Sequence, residues 1–167
     1  MSIVLAILTL AHVLISLVGI FSGFVVMFGL LAGKRLDGWT ALFLATTVAT
    51  SVTGFLFPVH RILPSHIVGI ISLVVLAVAI YARYARRLDG AWRKVYVVGA
   101  VLAFYLNVFV GIVQAFLKIP ALNALAPTQT EPPFKLTQLV LLAIFVALAV
   151  VAAIRFRNEP GPTVSLT

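Results

Sequence analysis

The chain has 167 residues, of which 63% are hydrophobic and 10% charged, against roughly 45–50% and ~25% in soluble domains. A fold of this size cannot bury so much apolar surface, and the mean hydropathy of +1.21 agrees, so water is excluded as the main solvent. The net charge is +8 and there is no cysteine, which removes disulfides, thiolate metal sites and cysteine nucleophiles.

A membrane helix needs about 20 mostly apolar residues, and five stretches qualify: 3–32, 39–57, 65–82, 92–117 and 135–154. The predicted fold is all-α, an integral membrane bundle of five transmembrane helices. It forms one domain over 1–157, followed by a short cytoplasmic tail, 158–167. The apolar runs are continuous rather than alternating, which argues against a membrane barrel. The first stretch lacks the basic n-region and cleavage site of a signal peptide and reads as a retained helix.

The basic residues sort by side. Lys34, Arg35, Arg83, Arg86, Arg87, Arg93, Lys94, Arg155 and Arg157 gather at one membrane face, and Arg61, Lys118 and Lys135 at the other. The positive-inside rule puts the larger group in the cytoplasm, with the N-terminus outside and the C-terminus inside. The charge is thus assigned to topology and lipid headgroups, and no nucleic-acid partner is expected.

The two inner turns read alike, Lys34-Arg-Leu-Asp-Gly-Trp39 and Arg86-Arg-Leu-Asp-Gly-Ala-Trp92. A parallel duplication of helices one and two as three and four would explain this. So would the common needs of any short inner hairpin, namely basic flanks, an Asp-Gly turn and an interfacial Trp. Asp37 and Asp89 are read as turn and capping residues.

Polar groups in hydrocarbon are costly and mark sites or helix contacts. Along the chain they are His12 and Ser16 on a face shared with Gly19 and Gly23, then the hydroxyl stripes Thr46/Thr50/Thr53 and Thr47/Ser51. His66 opens the third helix, Asn107 and Gln114 share a face of the fourth, and Gln138 lies near the start of the fifth. Counted from the inner ends, most of these fall in the outer half, above an inner half that looks sealed. They predict an outward-facing polar pocket lined by His12, Ser16, Thr50, Thr53, His66, Asn107, Gln114 and Gln138. The outer connection 118–134 is too apolar for a loose linker. It is expected to form a short helix over Ala121–Ala126 and fold over the mouth, with Thr128, Gln129, Glu131 and Phe134 as lid residues.

The simpler reading of each group is packing: small-residue stripes where helices touch, hydroxyls on their own preceding carbonyls, and amides bonding between helices. No carboxylate lies in mid-membrane, and no phosphate loop, His-Glu-x-x-His helix or nucleophile elbow is present. Enzymatic chemistry of the soluble kind is therefore not expected. His12 and His66, at matched depth, have the residue type and placement to ligate a b-type haem.

The stretch Tyr105-Leu-Asn-Val-Phe-Val-Gly-Ile-Val-Gln-Ala-Phe, continued through Lys118-Ile-Pro and Ala126-Pro-Thr-Gln-Thr-Glu-Pro-Pro-Phe134, resembles one in a family of small bacterial multi-pass membrane proteins. The resemblance covers about a quarter of the chain, implies the bacterial cytoplasmic (inner) membrane and carries no known activity. A looser likeness to b-type cytochrome bundles rests on His12 and His66. Three functions follow. The first is a non-enzymatic protein whose outer pocket binds a small ligand, lipid or membrane partner. The second is a haem-binding electron-transfer or redox-accessory subunit, and the third an oligomeric channel or transporter. Expected partners are membrane lipids and either further copies of the chain or a larger membrane complex.

Overall fold

Apolar runs without interior proline become helices because hydrocarbon leaves backbone N–H and C=O groups no partner but each other. The computed structural model describes residues 3–57 and 64–157, with side chains from 66 onward in the second segment. In chain order the elements are α1 (Ile3–Leu31), α2 (Asp37–Gly54), α3 (Pro64–Ile80), a π-helical turn (Tyr81–Ala85), α4 (Trp92–Lys118), α5 (Pro120–Leu125) and α6 (Pro132–Arg155). Among the described residues there is no strand. Four helical segments, 3–31, 66–85, 92–118 and 132–155, are long and apolar enough to cross a membrane. The predicted tail 158–167 and residues 58–63, which include His60 and Arg61, lie outside the described residues.

The second predicted span, α2, is not among those four. It has 18 residues, opens on Asp37 and carries Thr40, Thr46, Thr47, Thr50, Ser51 and Thr53. All six hydroxyl side chains are buried or half-buried, whereas Trp39, Ala41, Leu42, Ala45 and Val52 are exposed. The helix is therefore inside out by the standard of a soluble protein: polar inward, apolar outward.

Two helical hairpins and a buttress make the bundle. α1 and α2 run antiparallel along their length, from Gly29 against Leu36, through Phe21 against Trp39 and Gly19 against Thr46 and Thr47, to His12 against Thr53 and Gly54. α3 and α4 pair through Ala79 on Gly99. α2 packs on α3, and α6 lies along α4 and α1. The inner end is the one that carries the two Asp-Gly turns. There, α1 stops in a Schellman motif, with Lys34 N–H on the Gly29 carbonyl at 2.8 Å and Gly33 N–H on Leu30 at 3.1 Å. Gly33 sits at φ +70°, which a glycine adopts without strain.

The matching second turn has another geometry. α3 widens into the π-turn, and Arg87, Leu88 and Gly90 all take positive φ. Trp92 packs on Tyr81 in that turn, while Trp39 packs on Phe21 well inside α1. The two turns share a sequence pattern and not a structure.

At the centre, the Phe104 ring (2% exposed) meets α1, α2 and α6 at once. It stands 4.9 Å from Phe24, 6.1 Å from Phe43 and 5.2 Å from Phe145, each edge-to-face. Gly23 makes the notch for it, since a Cβ there would lie 2.5 Å from the ring. Gly23→Ala is expected to destabilise the protein by about 1–3 kcal/mol, because a buried ring cannot step aside. Gly38→Ala, where a Cβ meets nothing, should be neutral or slightly stabilising. Unfolding midpoints of both variants in detergent micelles measure the contrast.

Candidate functional site

The polar residues form separate groups at different depths rather than one pocket. At the outer end of the first hairpin, His12 Nδ1 and Thr53 Oγ1 are 2.8 Å apart. Thr53 Oγ1 also lies 2.7 Å from the Ala49 carbonyl and 3.2 Å from that of Thr50. With the hydroxyl proton on either carbonyl, the oxygen accepts from His12 Nδ1–H, and the imidazole in that tautomer has its Nε2 lone pair uncommitted. Phe57 backs the ring edge-on at 5.3 Å, Gly54 leaves space beside Cε1, and Ser16 donates to the His12 carbonyl at 2.7 Å.

Halfway down, Asn107 of α4 donates to Thr47 Oγ1 of α2 at 3.0 Å. The pair lies over Gly19 of α1, so three helices meet on one amide–hydroxyl bond. Nearby in α2, Ser51 donates to Ser72 of α3 at 3.2 Å, while the buried Thr50 hydroxyl has no partner.

A third group faces α4 from the other side. Gln138 of α6 (9% exposed) donates from Nε2 to the Phe109 carbonyl at 3.3 Å, and its Oε1 is buried without a partner. Gln129 donates to the Val113 carbonyl, one turn further out, at 2.9 Å. Gln114 is exposed and makes no side-chain hydrogen bond among the described residues. His66, at the start of α3, lies against the Phe55 ring at 5.6 Å.

Of the eight predicted pocket residues, then, the structure joins His12, Ser16 and Thr53. It spends Asn107 and half of Gln138 on helix contacts, sets the Thr50 carbonyl 3.2 Å from the Thr53 hydroxyl, and leaves Gln114 exposed and His66 against Phe55. Two surface grooves, of about 590 and 450 Å³, contain none of the eight.

The outer connection forms α5 one residue earlier than predicted, because Pro120 suits a first helical position. It folds back on α4, with Asn123 donating to the Phe116 carbonyl at 3.2 Å and Phe134 edge-on to Phe116 at 5.3 Å. Glu131 closes the turn: Oε1 accepts from the Thr128 hydroxyl at 2.8 Å and N–H at 3.2 Å, and Oε2 from Thr130 N–H at 3.0 Å. Gln129 takes φ +59° inside this turn.

The sealed inner half needs the clearest correction. Arg83, a flanking cation by position, is only 4% exposed and lies in the π-turn. Its guanidinium donates to Asp37 Oδ1, at the start of α2, and stands 5.0 Å above the Tyr96 ring and 5.8 Å above Tyr84. Tyr96 is fully buried, its hydroxyl short of a full hydrogen bond with Thr40 and Arg83 as polar neighbours. Asp37 is thus more than a turn residue, since it ties the first hairpin to the second. The one sequence signal was that Arg83 precedes Arg86-Arg87 by a turn and so begins inside the apolar run.

Compared with known protein families, curated proteins and solved structures, the chain matches none.

The inner pair predicts a measurable coupling. Asp37→Asn leaves a buried guanidinium without its carboxylate. Because Asp37 itself is 71% exposed, the cost should be about 1–2 kcal/mol, below the ~3–5 of a fully buried pair. In an Arg83→Met background the same change should cost close to nothing, and a double-mutant cycle of detergent unfolding reads the difference.

Glu131 makes a pH prediction. Desolvation pulls its pKa up but is outweighed by the hydrogen bonds from the Thr128 hydroxyl and the turn's N–H groups, so the carboxyl titrates below its ordinary range. A lowered folded pKa means that the turn's order is complete above the ordinary carboxylate range and is lost as pH falls through the lowered value. Amide exchange at Thr128 and Thr130, corrected for intrinsic rates, should rise over that acid window in the native protein. In Glu131→Gln it should already be raised at neutral pH.

Proposed function

We propose that this protein is a non-enzymatic, five-span membrane protein that binds a small ligand or lipid at its outer end through His12. In this reading the N-terminus is outside, the C-terminus is cytoplasmic, and the resemblance noted above argues for a bacterial inner membrane. The inward hydroxyls and outward apolar residues of α2 support counting it as the fifth span. Antiparallel contact with α1 all the way from Gly29 to His12 supports it further.

The observation that carries the binding function is the fixed imidazole. Thr53 holds Nδ1–H, so Nε2 presents a lone pair at the outer interface to any ligand with an O–H or N–H donor. The buried oxygens of Thr50 and Gln138, which the fold leaves unpaired, are further polar groups in the same half of the bundle.

A second reading, a b-type haem held by His12 and His66, is favoured by the same feature. An imidazole that ligates through Nε2 usually donates its other N–H to a neighbouring oxygen, which orients the ring. Oligomeric assembly, as a channel or within a larger complex, rests on the apolar outer faces of α1 and α6 alone, and these equally suit lipid.

Two variants separate the readings. His12→Ala removes the lone pair, and Thr53→Val keeps the imidazole but releases its tautomer. Optical spectra of the purified protein, oxidised and dithionite-reduced, should be featureless in the binding reading, and native mass spectrometry should find a retained small molecule. That adduct should vanish in His12→Ala and fall about tenfold in Thr53→Val, the worth of one hydrogen bond. A Soret band lost in His12→Ala replaces the first reading with the second, and adducts unchanged in both variants overturn the role of His12.

A further inference from the structure

Away from the His12 end, the inner end carries two grooves on either side of the first turns of α4. One, of about 590 Å³, is lined by Arg93 and Lys94 of α4, Val150, Ala153 and Ile154 of α6, and Arg157 just beyond it. The other, of about 450 Å³, lies between α3 and α4 and is almost wholly apolar, with Val74, Val78, Val98 and Leu102 among its walls. Lys94 lines both.

The cations there are not used by the fold. Among the described residues the carboxylate contacts of the inner end are those of Arg35 and Arg83 with Asp37, and Arg93, Lys94 and Arg157 have no ion pair. Their helix start is also open. α4 has no side-chain cap and no acidic residue in its first turn, and the N–H groups of Arg93 and Lys94 meet no backbone acceptor. Three free cations and unpaired N–H groups at a helix N-terminus attract a phosphate. The walls beneath them are aliphatic and continuous with surface that faces lipid, since Val150 and Ile154 are exposed.

We infer that the inner ends of α3, α4 and α6 bind one anionic diacyl phospholipid astride α4. Its phosphate lies on Arg93, Lys94 and Arg157, one acyl chain on Val150 and Ile154, and the other between Val78 and Val98. The two-groove shape is what selects a diacyl lipid over a free anion. A phosphate needs only the cations, whereas the apolar groove between α3 and α4 adds nothing to its binding. The inference does not rest on a ligand at His12, which lies at the opposite end.

The test is native mass spectrometry of the full chain from mixed micelles of phosphatidylglycerol and phosphatidylcholine in equal amounts, read as the ratio of the two bound lipids. A cation held against the phosphate is worth about 1 kcal/mol toward an anionic lipid, so every one removed from the site should lower that ratio about fivefold, whereas cations away from the retained lipid leave it unchanged. The variant Arg93→Gln/Lys94→Gln/Arg157→Gln should therefore lose the preference. A control with as many charges removed, Lys34→Gln/Arg86→Gln/Arg87→Gln, should keep it. Ala153→Trp, which fills one groove and leaves every charge, should reduce the total lipid retained. Equal losses in both triple variants would mean general surface attraction and overturn the site, as would no loss in either. Displacement of phosphatidylglycerol by inorganic phosphate would overturn the lipid in favour of a free-anion site. Monodisperse elution and an unchanged helical circular dichroism spectrum confirm that the variants fold.

Discussion

α2 carries six hydroxyls and an initial aspartate, the largest polar load of the long helices, and its neighbours cover the polar side. Thr46 and Thr53 turn their hydroxyls back onto carbonyls of their own helix, while Thr47 and Ser51 find partners on α4 and α3. All six hydroxyl side chains are buried or half-buried, and the exposed positions between them are apolar. Each neighbour meets α2 through a polar bond or a small residue. α1 supplies His12 and the flat surface of Gly19, α3 supplies Ser72, and α4 supplies Asn107. Such bonds in membranes are worth only about 0.6 kcal/mol each on average. They choose the register of the helices more than they hold them together, and packing around Phe104 supplies the cohesion.

Arg83 extends the same constraint to the inner end. A guanidinium one turn inside an apolar helix must find an anion, an aromatic face or water. The π-turn gives α3 an extra residue just there and carries the side chain inward between Tyr84 and Tyr96. Asp37, at the first position of α2, meets it, and a carboxylate is also favoured at that position by the helix dipole. Its large exposure keeps the carboxylate in contact with water, so the cost of desolvation falls on the guanidinium alone.

The helices were legible in the sequence because a continuous apolar run of about 20 residues has one stable form in lipid. Their ends were less clear: Gly33 stands where a C-cap requires it, but α5 and α6 begin on Pro120 and Pro132, one and three residues before the predicted starts at Ala121 and Lys135, because proline suits a first helical turn. Which polar group would meet which was not legible. Helical spacing puts His12 and Ser16 on one face but does not say which helix that face meets, and the α1–α2 register that pairs His12 with Thr53 depends on three-dimensional fit. Gln114, Gln138 and His12 lie on different helices with different neighbours, which counting along each helix does not register, and Arg83 is buried in protein although its position reads as a flank, because the two can differ by a single turn. The repeated Asp-Gly turns are similar in sequence and dissimilar in geometry, since Gly33 ends α1 in a Schellman motif while α3 widens into a π-turn before the second.

The vertical order of the groups limits what the protein can do within one copy. Along α2, Thr47 with Asn107 lies on one side of Phe43 and Leu44, and Thr40 with Tyr96 and Arg83 lies on the other. Between them stand Phe24, Phe43, Phe104 and Phe145, packed edge-to-face around a notch with no room for a methyl group. A hydrated path through the bundle would have to displace Phe104 from Gly23 and separate all four rings, losing contacts that no polar group there replaces. Chemistry at the two ends needs no such opening. His12 with Thr53 lies toward one end of the bundle, and Arg93, Lys94 and Arg157 border apolar grooves at the other. The packed aromatic middle separates the two groups, so a change at one end reaches the other only through Phe104 and the rings around it.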